Sequence, residues 1–85
     1  MPRTHAVTAE VVGNVAQVTV HVGDEVGPAD ILVILESMKM EIPVLAEVAG
    51  VVSEVAVSAG DVVREGDVIA VIEQGTDGER RGDAF

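Results

Sequence analysis

The segment Glu36-Ser37-Met38-Lys39-Met40-Glu41 contains the side chain of this sequence that is best suited to covalent chemistry. Lys39 is the only lysine among the 85 residues. A lysine amine can attack an activated acyl group and then carry the group that it has received. Met38 and Met40 place apolar side chains on both sides of this amine. Because exposed apolar side chains often mark binding sites, the segment indicates a handle that another protein recognises and modifies.

Other polar side chains are better explained by structure than by catalysis. Acidic residues recur in pairs at expected turns and strand starts, where they form turns and face solvent. Two isolated histidines, His5 and His21, do not make a metal site. The sequence has no phosphate-binding loop and no nucleophile–base motif, so we expect a protein that is not itself an enzyme. The recurring pairs are Glu10/Glu47, Asp24/Asp61 and Asp30/Asp67.

The composition limits the class of protein further. A formal net charge of −10 repels phosphate backbones and anionic lipid headgroups, which argues against nucleic acid and membranes as partners. The absence of cysteine rules out disulfides and is compatible with the cytoplasm, where we expect the protein. Hydrophobic residues make up 48% of the chain but aromatic residues only 1%. The core must therefore be aliphatic, and its many valines favour strands.

The sequence also repeats itself after 37 residues. Residues 7–36 align with residues 44–73, and 13 of these 30 positions are identical. Self-similarity at a fixed offset indicates a duplicated structural unit. Because two small units cannot bury their apolar faces alone, we expect them to close on each other about a pseudo-twofold axis.

Each copy has the pattern of short strands separated by turns. Val18, Val20 and Val22 alternate with Thr19 and His21, which predicts a half-buried strand with His21 facing outward. The preceding valines, Val15 and Val52, lie three residues earlier and predict a β-bulge. The remaining elements of the two copies are turns at Gly23-Asp24 and Gly60-Asp61, short strands around Val26 and Val63, second turns at 27–30 and 64–67, and apolar strands at 31–35 and 68–72. This spacing is typical of a small all-β barrel or sandwich.

Lys39 falls between two of these predicted strands. The apolar strand stops at Glu36-Ser37, and another resumes near Met40 and runs through Val44, which is hairpin spacing. Met38 and Lys39 are therefore predicted at the exposed tip of a tight β-turn, at the boundary between the two repeats. A lysine in a turn is ordinary by itself. Its uniqueness, its position in the duplication and its methionine neighbours favour a function.

At this level of detail the sequence resembles the biotinyl/lipoyl carrier-domain family, and most closely its single-domain biotin/lipoyl attachment proteins. Met38-Lys39-Met40 matches the family's biotin-attachment tripeptide, and the duplication, the Gly-Asp turns and the central hairpin match as well. The resemblance implies a flattened barrel of two four-stranded antiparallel sheets. It also implies covalent biotin on Lys39, with Met38 and Met40 recognised by a biotin protein ligase.

The resemblance further implies the partners of the domain. A biotin carboxylase would load CO₂ onto the biotin, and a carboxyltransferase would pass it to an acceptor such as an acyl-CoA. We expect a monomer with a carrier domain at 6–73, a flexible N-terminus at 1–5 and a flexible tail at 74–85. Two alternatives stay open. One is a lipoyl domain, which usually has Asp before the lysine; the other is an interaction module whose lysine is unmodified.

Overall fold

The structure, a computed structural model, describes residues 3–74 and consists of eight β-strands joined by turns. Each strand of the first half has a counterpart in the second half whose bounds are shifted by the same 37 residues. The strands are β1 (Arg3–Thr8), β2 (Gly13–Val18), β3 (Glu25–Val26), β4 (Ile31–Ser37), β5 (Met40–Leu45), β6 (Gly50–Val55), β7 (Val62–Val63) and β8 (Val68–Gln74).

The eight strands form two four-stranded antiparallel sheets with the orders β1-β8-β6-β3 and β5-β4-β2-β7. A shift of 37 residues, forward for β1 and β3 and backward for β8 and β6, converts one order into the other, which confirms the predicted pseudo-twofold relation. Each sheet therefore contains strands from both repeats. Neither half could form such a sheet alone. In one sheet β8 and β6 of the second half lie between β1 and β3 of the first half, and in the other β4 and β2 of the first half lie between β5 and β7 of the second half.

Two sequence predictions about the strands have different outcomes. The predicted bulges are confirmed, since the register shifts between Val15 and Gln17 and again between Val52 and Glu54. The predicted strand through Val18, Val20 and Val22 is wrong. β2 ends at Val18, and the chain then turns, so that Val22 is 63% exposed instead of buried.

The start of the domain also differs from the expectation. Arg3 already lies in β1 and pairs with Gln74, and His5 pairs with Ile72. Residues 3–5 therefore belong to a sheet, in which β8 supplies their backbone partners. Gln74 likewise belongs to β8. The rest of the expected tail, 75–85, lies outside the described residues.

The core is aliphatic, as the composition predicts, and lies between the two sheets. It takes one face of each strand, as expected for a sheet with one buried face, and β4 and β8 each bury two consecutive residues near their starts. No segment within residues 3–74 is a helix with the length and hydropathy of a membrane span. The buried residues are Val7, Ala9, Val15, Val20, Val26, Leu32, Val33, Leu35, Ala46, Val52, Val63, Ile69, Ala70 and Ile72.

Candidate functional site

Lys39 lies in a two-residue turn between β4 and β5, as predicted. Ser37 and Met40 form the last cross-strand pair of the hairpin, so Met38 and Lys39 alone connect the strands. Their φ angles are 54° and 66°. Positive φ at both central positions is the signature of a type I′ turn, whose twist matches that of the flanking strands.

This turn geometry is unusual for the residues that occupy it. Type I′ turns strongly favour Asn and Gly, because a side chain with a Cβ is strained at positive φ, at roughly 1–2 kcal/mol per residue. Neither Met38 nor Lys39 relieves this strain. Strained backbone clusters at functional sites, where the surrounding structure holds it in place. The sequence predicted a tight turn here but gave no sign of its left-handed backbone.

The side chains of the tip project into solvent. Lys39 is exposed, and Met38 and Met40 are 91% and 62% exposed. Within residues 3–74 the ion pairs are His5–Glu47 and His21–Asp24, so no carboxylate of the described part of the chain holds the Lys39 amine. The predicted exposure of Lys39 is confirmed, and its amine is accessible to an external active site.

Contacts at the base of the hairpin hold the tip in position. The Ser37 hydroxyl donates a hydrogen bond to the Val12 carbonyl oxygen at 2.8 Å, which joins the hairpin to the loop before β2. Gly13 lies against the Glu36 carbonyl so closely that a Cβ on Gly13 would be 2.7 Å from that oxygen. Sequence reasoning missed this hydrogen bond of Ser37, which depends on a partner 25 residues away.

The flanks of the tip are acidic. Glu36 and Glu41 are directly opposite each other across the hairpin, and both are exposed. Like charges in such a pair are mildly destabilising. Threonine occupies the position equivalent to Glu41 in the other sheet, where Thr4 pairs with Glu73. The paired carboxylates are therefore particular to the hairpin end, and they favour a binding partner that carries positive charge there.

The recurring aspartates have structural roles, as expected. Asp24 accepts a hydrogen bond from the His21 amide, and Asp61 accepts one from the Ser58 amide, at 2.8 and 2.9 Å. Asp30 and Asp67 cap the second turns in the same way. No group of three or more His, Cys, Asp or Glu side chains in residues 3–74 is arranged to hold a metal ion.

His5 and Glu47 form a contact that the sequence did not predict. The His5 Nε2 and Glu47 Oε1 atoms are 2.9 Å apart, and Glu47 has a φ of 73°. His21, in contrast, faces outward as predicted. These residues lie on parts of the chain that do not contribute to the hairpin tip.

Comparison with known proteins identifies the family of this domain. The model of the family described as "Biotin-requiring enzyme" matches residues 2–72, which is most of the chain. The chain belongs to the biotin/lipoyl attachment family. The matched residues include the whole β4–β5 hairpin with Lys39.

Individual relatives agree with this assignment. A biotinylated protein TB7.3 homolog of Mycolicibacterium smegmatis is 64% identical over 39 residues, which are 46% of this chain and 55% of the relative. The matched part therefore spans about half the length of that relative. A single-chain, multi-domain long-chain acyl-CoA carboxylase has a TM-score of 0.78 and 33% identity over 86% of this chain and 7% of its own.

The fold is shared with lipoyl domains too. The lipoyl domain of the 2-oxoglutarate dehydrogenase complex from Azotobacter vinelandii has a TM-score of 0.65 at 28% identity, covering 82% of this chain and 100% of its own. The predicted fold of two four-stranded antiparallel sheets is therefore confirmed by the sheet topology and by these likenesses.

Proposed function

We propose that this domain is a biotin carboxyl carrier whose Lys39 is biotinylated by a biotin protein ligase. The observation that carries the proposal is the only lysine of the chain, standing exposed at the tip of a type I′ hairpin between two exposed methionines. The family match and the biotinylated relative support biotin as the attached group. Met38 and Met40 are proposed as residues that the ligase recognises.

The residues at the tip fit covalent attachment. The Lys39 amine is a nucleophile only when uncharged, so the ligase must remove a proton from it and supply an activated biotinyl donor. The amine nitrogen then forms an amide bond to the acyl carbon, the bond from that carbon to the leaving group breaks, and the leaving group takes its electron pair. The exposed position of Lys39 allows a foreign active site to surround the amine.

The hairpin fixes the position of the Lys39 backbone and leaves the lysine side chain free to move. The β4–β5 pairing fixes the turn, and the Ser37–Val12 hydrogen bond anchors its base, while the four-carbon lysine stem stays mobile. Attached biotin would carry a carboxyl group from a biotin carboxylase to a carboxyltransferase. A tether held on a rigid mount raises the local concentration of the attached group at each active site.

The finer parts of the proposal rest on likeness. An acyl-CoA-type acceptor is supported by the similarity to a long-chain acyl-CoA carboxylase. We also propose that the domain is a carrier without catalytic activity of its own, that it is cytoplasmic and that it is a monomer. We place the carrier domain from the start of β1 to the end of β8, residues 3–74, which slightly extends the range expected from the sequence.

A lipoyl carrier is the second candidate function, because a lipoyl domain shares this fold over its whole length. The residues around the lysine argue for biotin. Lipoyl domains usually have Asp before the lysine, whereas Met38 and Met40 flank it here.

Labelling with purified ligases tests the proposal. Purified apo protein is incubated with a biotin protein ligase, biotin and ATP, or with a lipoate ligase, lipoate and ATP, and analysed by intact mass and peptide mapping. We expect one biotinyl group on Lys39 and no label on Lys39→Arg, which keeps the charge. Addition of lipoate instead of biotin, or biotin on the Lys39→Arg variant, would overturn the assignment.

A further inference from the structure

A shallow groove runs along one side of the hairpin base. The groove has a volume of about 630 Å³ and lies between the loop before β2, the end of β4 and the start of β7. Met38 and Ser37 line it on the hairpin side, and Val12 and Val62 line it on the other side. The groove is therefore continuous with the segment that carries Lys39.

Two of the three valines that line this groove, Val12 and Val62, are exposed without a structural reason. Val12 is 60% exposed and Val62 is 67% exposed, so neither contributes much to the core. The duplication supplies an internal comparison, because the equivalent positions 37 residues away are Ala49 and Glu25. The same backbone thus accepts a small or a charged residue at these positions. Strand formation and packing do not require the apolar pair, and this leaves binding as its explanation.

The groove also has a charge that a partner can complement. Glu36 lines it, and neither of the two ion pairs formed within residues 3–74 uses this carboxylate. Glu41 adds a second carboxylate directly opposite Glu36. A partner that fits this surface presents an apolar side chain between the valines and an arginine or lysine beside it.

The reach of the lysine decides which partner must touch the groove. A ligase acts on the bare amine, which is only four carbons from the backbone of the tip, so its active site must close over the hairpin base. An enzyme that acts on attached biotin works beyond the far end of a much longer arm, and its surface can stay clear of the groove. The ligase is therefore the partner that must approach the base of the hairpin most closely.

We infer that the groove formed by Val12, Val62 and Met38 is a docking surface for the biotin protein ligase, which inserts an apolar side chain and pairs a basic residue with Glu36. This inference rests on the proposed function. It adds to the tripeptide a second recognition element, in which Val12 and Val62 lie 27 and 23 positions away from Lys39 in sequence.

An exchange of residues between the two equivalent ends tests the inference. The variant Val12→Ala/Val62→Glu gives the groove the residues of the opposite end. The matched control, Ala49→Val/Glu25→Val, places the two valines at the opposite end and leaves the groove unchanged. Biotin incorporation is measured at increasing concentrations of apo carrier, and circular dichroism melting shows whether each variant is folded. The single variant Val62→Glu is the fallback if the double variant is unfolded.

The expected result is a rise of about tenfold in the ligase KM for the groove variant, with kcat unchanged, and no rise for the control. Equal kinetics of both variants and the unaltered protein would overturn the inference while Lys39 labelling still supports the proposed function. Equal impairment of both variants would also overturn it. If the unaltered protein takes up no biotin on Lys39, the proposed function fails and this inference fails with it.

Discussion

The close approach of β2 to β4 beneath the hairpin predicts a large effect for Gly13→Ala. A Cβ at this position would be 2.7 Å from the Glu36 carbonyl oxygen and 3.4 Å from the Ser37 Cβ. A carbon–oxygen contact normally needs about 3.3 Å, so the two strands would have to separate by roughly 0.6 Å. Both are backbone segments of one sheet, and overpacking of this kind lowers the free energy of unfolding by about 1–3 kcal/mol.

Urea unfolding followed by circular dichroism measures this loss, because Phe85 is the only aromatic residue and gives no useful fluorescence signal. With a urea m-value of about 1 kcal/mol/M for a domain of this size, a loss of about 2 kcal/mol lowers the midpoint by about 2 M. Gly27→Ala is the matched control. Its Cβ would approach nothing closer than the Asp30 carboxylate at 3.9 Å, so its midpoint should stay the same or rise slightly.

A second control separates stability from presentation of the lysine. Gly50 is the equivalent of Gly13 at the opposite end, and a Cβ there would clash with the Glu73 carbonyl oxygen and lie 2.8 Å from the Ile72 Cγ2 atom. We expect Gly50→Ala to be destabilised at least as much as Gly13→Ala. Below their melting temperatures only Gly13→Ala should raise the ligase KM, because only its clash displaces the base of the hairpin.

Two results would refute this reasoning. If Gly13→Ala unfolds at the same urea concentration as Gly27→Ala, the strands are not in the close contact on which the argument depends. If Gly13→Ala and Gly50→Ala are labelled with the same kinetics, then the position of the hairpin base does not affect recognition of Lys39.

Three further substitutions test other parts of the structure. Val20→Asp places a charge in the core, where Val20 is 7% exposed, and should lower the free energy of unfolding by about 3 kcal/mol or more. The exposed Val22→Asp should change it by less than about 0.5 kcal/mol, and similar melting temperatures for the two variants would contradict the burial of Val20. Ser37→Ala removes the hydrogen bond to Val12 and should lower the free energy of unfolding by about 1 kcal/mol. An unchanged urea midpoint would mean that the bond does not anchor the hairpin. Met40→Asp should raise the ligase KM without changing the melting temperature, since the side chain is 62% exposed, and unaltered labelling kinetics would contradict a recognition role for Met40.

Much of the fold was predictable because its signals are local. The apolar strands Ile31–Ser37 and Val68–Gln74, the turns with Asp24 and Asp61, and the hairpin around Lys39 all follow from residue type and spacing over a few positions. The bulge at Val15 was visible as a break in the two-residue period. The wrong prediction of a strand at Val22 also comes from a local signal. The alternating pattern continues to Val22, although β2 ends at Val18.

Several details of the site depended on residues that are far apart in sequence. The Ser37–Val12 hydrogen bond and the approach of Gly13 to Glu36 exist only because β2 and β4 are neighbours in one sheet. The groove needs Val62 from the second repeat beside Val12 from the first. No local pattern contains these pairings, since they arise when the two halves interlock.

The sequence alone determined which side-chain amine is the candidate for modification, because the chain has a single lysine and the duplication places it between the halves. Tertiary structure decided how that amine is presented. The left-handed backbone of Met38 and Lys39 and the acidic, apolar surface beside them result from strands of both repeats packing together. Spacing along a chain can specify a turn, but only long-range contacts can hold it strained and surround it with a binding surface.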